Sequence, residues 1–214
     1  MPSTRRVRCE QAWLLGCEVH AFDPTPATVE FIRNRTMIRP QPPSFHFHAV
    51  GLGTWDGMAD FYMQKTAAGA EGESLELAMP MPTLSGGGTA TNVAIPSTVE
   101  LPVRTLSSIL DDLGHKPIAL MKMDIEGSEY GVLEDWYLRR GMTLPADQLL
   151  IEFHRFSLDL RYNASPEVSQ IIFLLHMDGF DTFFHRNFVS QDGHFAREYG
   201  FVRTRPSRFT SQAW

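Results

Sequence analysis

Acidic side chains follow three apolar segments of the sequence, at the points where those segments end. Asp23 follows the first segment, and Asp124 and Glu126 follow the second. Glu152 and His154 lie at the end of the third. Gathering carboxylates beside apolar strands costs desolvation energy, so this pattern indicates function rather than stability. A carboxylate or an imidazole in such a place can take a proton from a reacting hydroxyl.

Each of these acids also has a simpler interpretation, in which it only caps the helix that follows. We favour that interpretation for Glu129, because an acid in the first turn of a helix is stabilised by the helix dipole by about 0.3 to 1 kcal/mol. We favour a functional role for Asp23 and Asp124, which stand at strand ends before turns.

Asp23 has a specific task available to it. An acid at the tip of the second strand of a nucleotide-binding α/β fold can accept hydrogen bonds from both hydroxyls of a ribose. Gly51 and Gly53 lie at the end of the next predicted strand, where the absence of side chains allows an adenine ring close to the backbone.

Two groups of residues resemble metal ligands without a diagnostic spacing. Asp124 and Glu126 with His154 can hold a divalent cation that lowers the pKa of an acceptor hydroxyl. Residues on two neighbouring strands do not give a specific ligand pattern, so the sequence supports no metal assignment there. His46 and His48 share one face of a predicted strand, but no third ligand lies near them in the sequence, and we interpret them as solvated or core-edge side chains.

The elements that position these residues alternate between strands and helices. We predict strands at residues 17–22, 44–52, 58–63, 99–103, 118–123, 148–154, 180–184 and 199–202, and helices at 26–34, 106–113, 129–140 and 166–177. This alternation predicts an α/β fold with a mostly parallel sheet and helices on both faces. Ligands bind beyond the carboxyl ends of such strands, so we expect Asp23 and Asp124 to converge on one crevice.

The composition of the chain argues against several classes of protein. The chain has 214 residues, two cysteines and a formal net charge of −6, which argues against a disulfide scaffold and against binding to nucleic acid. No apolar run is long enough to cross a membrane. We predict one domain over residues 1–214, with a surface insertion at about 66–98 that is rich in Ala, Gly, Pro, Ser and Thr.

Three stretches of the chain carry a resemblance to a known family. They are V-H-A-F-D-P-T-P at 19–26, L-M-K-M-D-I-E-G-S-E at 120–129 and Q-L-L-I-E-F-H at 148–154. They resemble the motifs of FkbM-type methyltransferases and related methyltransferase-like domain proteins. The K-x-D-x-E-G-x-E string is fairly specific, whereas F-D-P alone is weak.

The resemblance implies a Rossmann-like methyltransferase that depends on S-adenosylmethionine and acts on oxygen. It implies that Asp23 binds the ribose, that Gly51 lies by the adenine, and that Asp124 and Glu126 line the face where the methyl group is transferred. His154, Glu126 or Glu152 is then the base that takes the proton of the acceptor. The acceptor itself, a small molecule or a glycan-like compound, stays open.

The sequence departs from this family at its beginning. Such enzymes place a glycine-rich turn after a first strand that precedes the strand ending at Asp23. The 16 residues ahead of Cys17 contain no G-x-G. We expect that strand to lie upstream of Met1, because without it the sheet exposes two long edges; the alternative is a remnant that binds the cofactor poorly.

Two other functions stay open at this point. One is a metal-dependent hydrolase or phosphoryl-transfer enzyme built on Asp124, Glu126, Glu152 and His154. The other is a catalytically silent binding module of the same fold.

Overall fold

Strands and helices alternate along the chain in the computed structural model, which describes residues 16–38, 44–64, 76–78, 97–114, 118–155, 166–189 and 195–209. The strands are β1 (Val19–Phe22), β2 (Phe45–His48), β3 (Gly51–Gly53), β4 (Gly57–Gln64), β5 (Glu76–Ala78), β6 (Ser97–Thr105), β7 (Ile118–Met123), β8 (Ala146–Arg155), β9 (Phe180–Val189) and β10 (Phe195–Arg203). The helices are α1 (Pro26–Ile38), α2 (Leu106–Leu113), α3 (Glu129–Glu134) and α4 (Pro166–Met177), and a π-helical turn at Asp135–Arg139 follows α3. In the described part of the chain, no helix is long and apolar enough to cross a membrane.

The chain divides into two compact units. The first unit comprises residues 1–51 and 57–103, and the second comprises 52–56 and 104–214. The single domain expected over 1–214 stays a prediction. Of the insertion expected at about 66–98, residues 76–78 and 97–98 belong to strands, and the rest lies outside the described residues.

The first unit pairs β1 with β2 in parallel, with Val19 opposite Phe45 and Phe22 opposite His48. The carbonyl of Thr25 accepts a hydrogen bond from the amide of Val29 at 3.0 Å, which begins α1, and Pro26 takes the first helical position, where its missing N–H costs nothing. The strand β4 pairs antiparallel with both β5 and β6. Small and apolar side chains of β4 and β6 form a separate buried cluster, namely Ala59, Phe61, Leu101 and Val103.

The second unit contains a four-stranded sheet in the order β7-β8-β10-β9. β7 and β8 are parallel, whereas β10 pairs antiparallel with β8 and with β9. The fully buried side chains of this unit come from strands and helices alike and include Leu133, Trp136, Leu149, Phe153, Ile171, Leu175, Phe180 and Phe201. This core holds β7 and β8 in place, and the candidate site lies at their carboxyl ends.

The α/β class is confirmed, but the described strands do not form one mostly parallel sheet. They form three sheets: β1-β2 is parallel, β7-β8-β10-β9 is mixed, and the β4 pairings are antiparallel. The reason lies in the connections. β9 ends at Val189 and β10 begins at Phe195, so the residues between them are too few for the crossover of about a dozen or more that parallel strands require, and the two strands pair antiparallel.

One predicted strand is also divided in two. The segment predicted as a strand over 44–52 becomes β2 and β3, because the amide of Val50 donates to the carbonyl of His48 at 2.9 Å and closes a tight turn between them. Its two halves therefore pair with different strands, β2 with β1 and β3 with β6.

Candidate active site

The parallel register of β7 and β8 brings the acids of two strands to the same edge. Met123 lies opposite Ile151, so the residues that follow them occupy neighbouring positions, with Asp124 directly after β7 and Glu152 near the end of β8. Both side chains are partly buried, with 17% and 15% of their surface exposed. These acids lie together because β7 and β8 are parallel, so that their carboxyl ends meet at one edge of the sheet.

The loop after β7 has an unusual backbone that one buried carboxylate stabilises. Glu126 has φ 52° and Gly127 has φ 98°, so two successive residues adopt left-handed conformations, of which the first is costly for a residue with a Cβ. Glu129 is fully buried and accepts hydrogen bonds from the amides of Ile125 at 3.0 Å and Gly127 at 2.9 Å. The side chain of Glu129 therefore fixes the loop that presents Asp124 and Glu126.

The imidazole of His154 lies at the centre of these acids. Its Nδ1 is 3.0 Å from Oε1 of Glu129. Its Nε2 is 3.2 Å from Oε1 of Glu152 and 3.5 Å from Oε2 of Glu126. Asp124 is farther away, with Oδ1 at 3.8 Å from the same nitrogen. A single ring thus links the buried carboxylate on α3 to the three carboxylates at the sheet edge.

This environment changes the charge of His154. Burial by itself lowers the pKa of His154, but hydrogen bonds with Glu129 and Glu152, together with the charges of Glu126 and Glu129, outweigh burial and raise it from 6.5 to about 10. At neutral pH the ring is therefore an imidazolium that donates from both nitrogens. In this state the ring has no free lone pair and cannot accept a proton.

Lys122 is the second cation of the cluster. It lies on β7, and its Nζ forms a hydrogen bond and ion pair with Oδ2 of Asp124. Four described carboxylates, those of Asp124, Glu126, Glu129 and Glu152, surround two described cations, Lys122 and His154. The cluster is therefore net negative and favours a ligand that brings positive charge.

Three members of the cluster form a set that can hold a metal ion. Asp124, Glu152 and His154 each offer one ligand atom, and these atoms lie within 4.8 Å of one another. Two carboxylates and one imidazole form a donor set that divalent transition metals accept. A metal could bind His154 only after displacing a proton from its ring, because a ligating imidazole must be neutral.

Asp23, the other predicted binding acid, belongs to the first unit and is held by the start of α1. Its Oδ1 accepts hydrogen bonds from the amide of Thr25 at 2.8 Å and from the hydroxyl of Thr25 at 2.7 Å. Its Oδ2 accepts one from the hydroxyl of Thr28 at 2.9 Å. These contacts fix the carboxylate at the end of β1, where the sequence predicts it.

Gly51 is also in the first unit, and its surroundings give it a packing role. It is buried, and a Cβ at this position would lie 3.2 Å from a side-chain carbon of Pro24 and 3.3 Å from one of Val103. Close packing is therefore sufficient to require glycine here. The contact of this backbone with an adenine ring stays a prediction.

The structure brings together Asp124, Glu126, Glu152 and His154, all in the second unit. Asp23 and Gly51 lie in the first unit, and the convergence of Asp23 with Asp124 stays a prediction. Two residues of the cluster had no functional role in the sequence interpretation: Lys122, and Glu129, which we expected only to cap a helix. The K-x-D-x-E-G-x-E spacing contains both and was the available signal.

Comparison with known families agrees with the resemblance seen in the sequence. Residues 7–201 match the family model described as the methyltransferase FkbM domain. Neither the comparison with curated proteins nor the comparison with solved structures gave a match.

Proposed function

Since the chain belongs to the methyltransferase FkbM domain family, we propose that it transfers a methyl group from S-adenosylmethionine to a hydroxyl oxygen of an acceptor, on a Rossmann-like fold. The observation that carries this proposal is the net negative cluster around His154 at the carboxyl ends of β7 and β8. S-adenosylmethionine supplies, when bound, an electrophilic methyl group on a cationic sulfonium centre. Asp124 and Glu126 then face that positive charge.

The net negative charge of the cluster favours a cationic ligand such as S-adenosylmethionine over a neutral ligand. Its described carboxylates outnumber its described cations by two, and the ion pairs with Lys122 and His154 keep the carboxylates in place. Opposite charges that meet in a partly buried site interact more strongly than they do in water. We therefore assign to Asp124 and Glu126 the positioning of the methyl group.

The acceptor hydroxyl must lose its proton as its oxygen takes the methyl group. Glu126, whose side chain is 30% exposed, and Glu152, whose side chain is 15% exposed, are the carboxylates near His154 that can accept this proton. His154 remains protonated and holds both carboxylates in place through Nε2. The catalytic role assigned to His154 from sequence thus becomes a positioning role in this proposal.

Asp23 fits the ribose in spite of its contacts with α1. The hydroxyl of Thr25 lies within hydrogen-bond distance of both Asp23 and the hydroxyl of Thr28, at 2.7 and 2.8 Å, but its single hydrogen can serve only one of them. When it donates to Thr28, each oxygen of Asp23 keeps an acceptor position beyond its remaining contact. Those two positions match the two hydroxyls of a ribose.

Calorimetry with S-adenosylhomocysteine, the product form of the cofactor, tests the proposal. We expect the full chain to bind it and Asp23→Ala to bind it about 10- to 100-fold more weakly, because a hydrogen bond to a charged group contributes about 1.5–3 kcal/mol. Glu30→Ala, which removes an exposed acid on α1, is the control and should bind like the unaltered chain. Absence of binding by the unaltered chain, or equal binding by Asp23→Ala, would refute the proposal.

A metal-dependent hydrolase or phosphoryl-transfer enzyme is the second candidate, and the donor set of Asp124, Glu152 and His154 is the observation in its favour. The two functions differ in what they require. Phosphate-ester hydrolysis that depends on added Mg²⁺ or Mn²⁺ and that ignores S-adenosylhomocysteine would favour this second function. Binding of S-adenosylhomocysteine that survives a chelator would favour methyl transfer.

A further inference from the structure

Four polar side chains meet on one face of the β1–β2 pair, in the first unit. Glu18 and His20 are two residues apart, as are His46 and His48, so each pair points to the same side of its extended segment. The parallel register places His20 opposite His46, and their rings stack with centroids 4.8 Å apart. The further ligands that the sequence did not provide beside His46 thus come from the neighbouring segment, which contributes Glu18 and His20.

The distances among three of these side chains match a transition-metal site. Oε1 of Glu18 lies 3.2 Å from Nε2 of His20 and 3.3 Å from Nε2 of His46. Each of the three residues offers one ligand atom, and these atoms lie within 4.8 Å of one another. A tetrahedral Zn²⁺ ion with metal–nitrogen and metal–oxygen bonds of about 2.0–2.1 Å separates its ligand atoms by about 3.3 Å. Two of the three ligand–ligand distances therefore already have the values that such an ion requires.

His48 supplies the outer contact that a ligating histidine needs. Its Nε2 lies 2.9 Å from Nδ1 of His20. If His20 binds a metal through Nε2, its proton must reside on Nδ1, and Nε2 of His48 can accept the resulting hydrogen bond. Phe22 stacks on the ring of His48, with centroids 4.6 Å apart, and fixes its orientation.

We propose that Glu18, His20 and His46 bind one divalent transition-metal ion of the Zn²⁺ class, with His48 positioning His20. The donor set of two imidazoles and one carboxylate excludes Mg²⁺ and Ca²⁺, which take six or more ligands that are nearly all oxygen. The side chains of Glu18 and His46 are 58% and 42% exposed, so solvent reaches the site and provides the fourth ligand. The ion links β1 to β2, because His20 and His46 belong to different strands.

Calorimetric titration of the full chain with ZnCl₂ tests this site. We expect micromolar or tighter binding, and a loss of affinity of at least tenfold in Glu18→Gln and in His46→Ala. His176→Ala removes an exposed histidine on α4 and is the matched control, which should bind Zn²⁺ like the unaltered chain. His48→Phe keeps an aromatic ring against Phe22 but loses the acceptor for His20, and we expect it to bind about 10- to 100-fold more weakly.

The Glu18→Gln variant separates loss of binding from loss of folding. The side chain of Glu18 is exposed, so the circular dichroism spectrum of this variant should equal that of the unaltered chain. Titration with Co²⁺ adds a spectroscopic signal: intense visible absorption shows four-coordinate binding, and this absorption should disappear in Glu18→Gln and His46→Ala. The proposal is overturned if the unaltered chain binds no Zn²⁺ at micromolar concentration. It is also overturned if Glu18→Gln and His46→Ala both bind with unchanged affinity and stoichiometry, since the ion then lies elsewhere, for instance at Asp124, Glu152 and His154.

Discussion

His154 owes its charge to carboxylates from three parts of the chain. Glu129 lies 25 positions before His154 in the sequence and contacts its Nδ1 atom. Glu126, from the loop after β7, and Glu152, from β8, contact its Nε2 atom. The pKa of about 10 that results means that folding favours the protonated ring. The ring is therefore a cation that holds a set of carboxylates together, and its removal leaves those carboxylates to repel one another.

This raised pKa predicts how stability depends on pH. A group with a higher pKa in the folded state than in the unfolded state contributes its full stabilisation below the unfolded value, near 6.5, and loses it as the pH rises through the folded value. We expect the free energy of unfolding of the unaltered chain to decrease between about pH 6.5 and about pH 10, and His154→Gln to lack this decrease. Urea denaturation at several pH values measures both, and parallel curves for the two proteins would contradict the assigned charge.

The buried carboxylate of Glu129 gives a second prediction. Replacement by Gln keeps the shape but puts an amide N–H₂ group against one of the amides of Ile125 and Gly127, which leaves a buried donor without an acceptor. We expect Glu129→Gln to lower the free energy of unfolding by about 1–3 kcal/mol. Glu134→Gln, at the other end of α3, is the control and should change it by less than about 0.5 kcal/mol.

At this scale the sequence did not predict the contacts of Glu129. We expected Glu129 to cap the helix α3, but its carboxylate accepts hydrogen bonds from the amides of Ile125 and Gly127, which precede the helix, and so stabilises the loop instead. Its contact with His154 could not be predicted, because it requires the register between β7 and β8 and the depth at which α3 packs.

Among the elements, those with local signals were predicted most accurately. The helix α2 has the predicted bounds, with the hydroxyl of Thr105 accepting from the amide of Ser108 and with Gly114 in the left-handed conformation at its end. β7 and α4 also have the predicted bounds. Caps and breakers act within a few residues, so a single sequence contains the information that determines them.

Strand pairing was predicted less well, because it depends on residues far apart. β9 and β10 extend over Phe180–Val189 and Phe195–Arg203, longer than the predicted 180–184 and 199–202. Phe183 and Phe184 on β9 are 58% and 42% exposed, although large apolar side chains are typical of a core. Phe183 instead covers the strand above Gly200, whose missing side chain leaves room for the ring.

The turn between α4 and β9 packs closely against the backbone at Arg205, and a substitution at Gly179 tests that packing. Gly179 has φ 88°, and a Cβ there would lie 2.1 Å from the backbone oxygen of Arg205. Gly179→Ala therefore carries two costs, the left-handed conformation and the movement of a neighbouring backbone segment.

Gly141 is the matched control, since it has φ 63° but no atom within 4 Å of the point where a Cβ would lie. We expect Gly141→Ala to lose about 1–2 kcal/mol of unfolding free energy, from backbone conformation alone. Gly179→Ala should lose more than twice as much unfolding free energy, as measured by thermal or urea denaturation. Equal losses would show that the contact with Arg205 is not a constraint.

For the whole molecule, the sequence predicted the α/β class and the family, both of which are confirmed. It also named Asp124, Glu126, Glu152 and His154 as candidate site residues, and the structure brings these four side chains together, while their roles stay a prediction. It did not predict the mixed sheets, because the direction of a strand is decided by partners that lie elsewhere in the chain. Binding of one ligand by Asp23 and by the loop at 124–128 stays a prediction.

Hydrogen exchange, followed by mass spectrometry with and without saturating S-adenosylhomocysteine, tests this central claim most directly. Ligand binding should slow exchange both in peptides that contain Asp23 and the start of α1 and in peptides that contain residues 124–128. Peptides from β9 serve as the internal control and should exchange at the same rate in both samples. Slowed exchange in both predicted regions supports the account; unchanged exchange in either region, at a ligand concentration that saturates the chain, contradicts it.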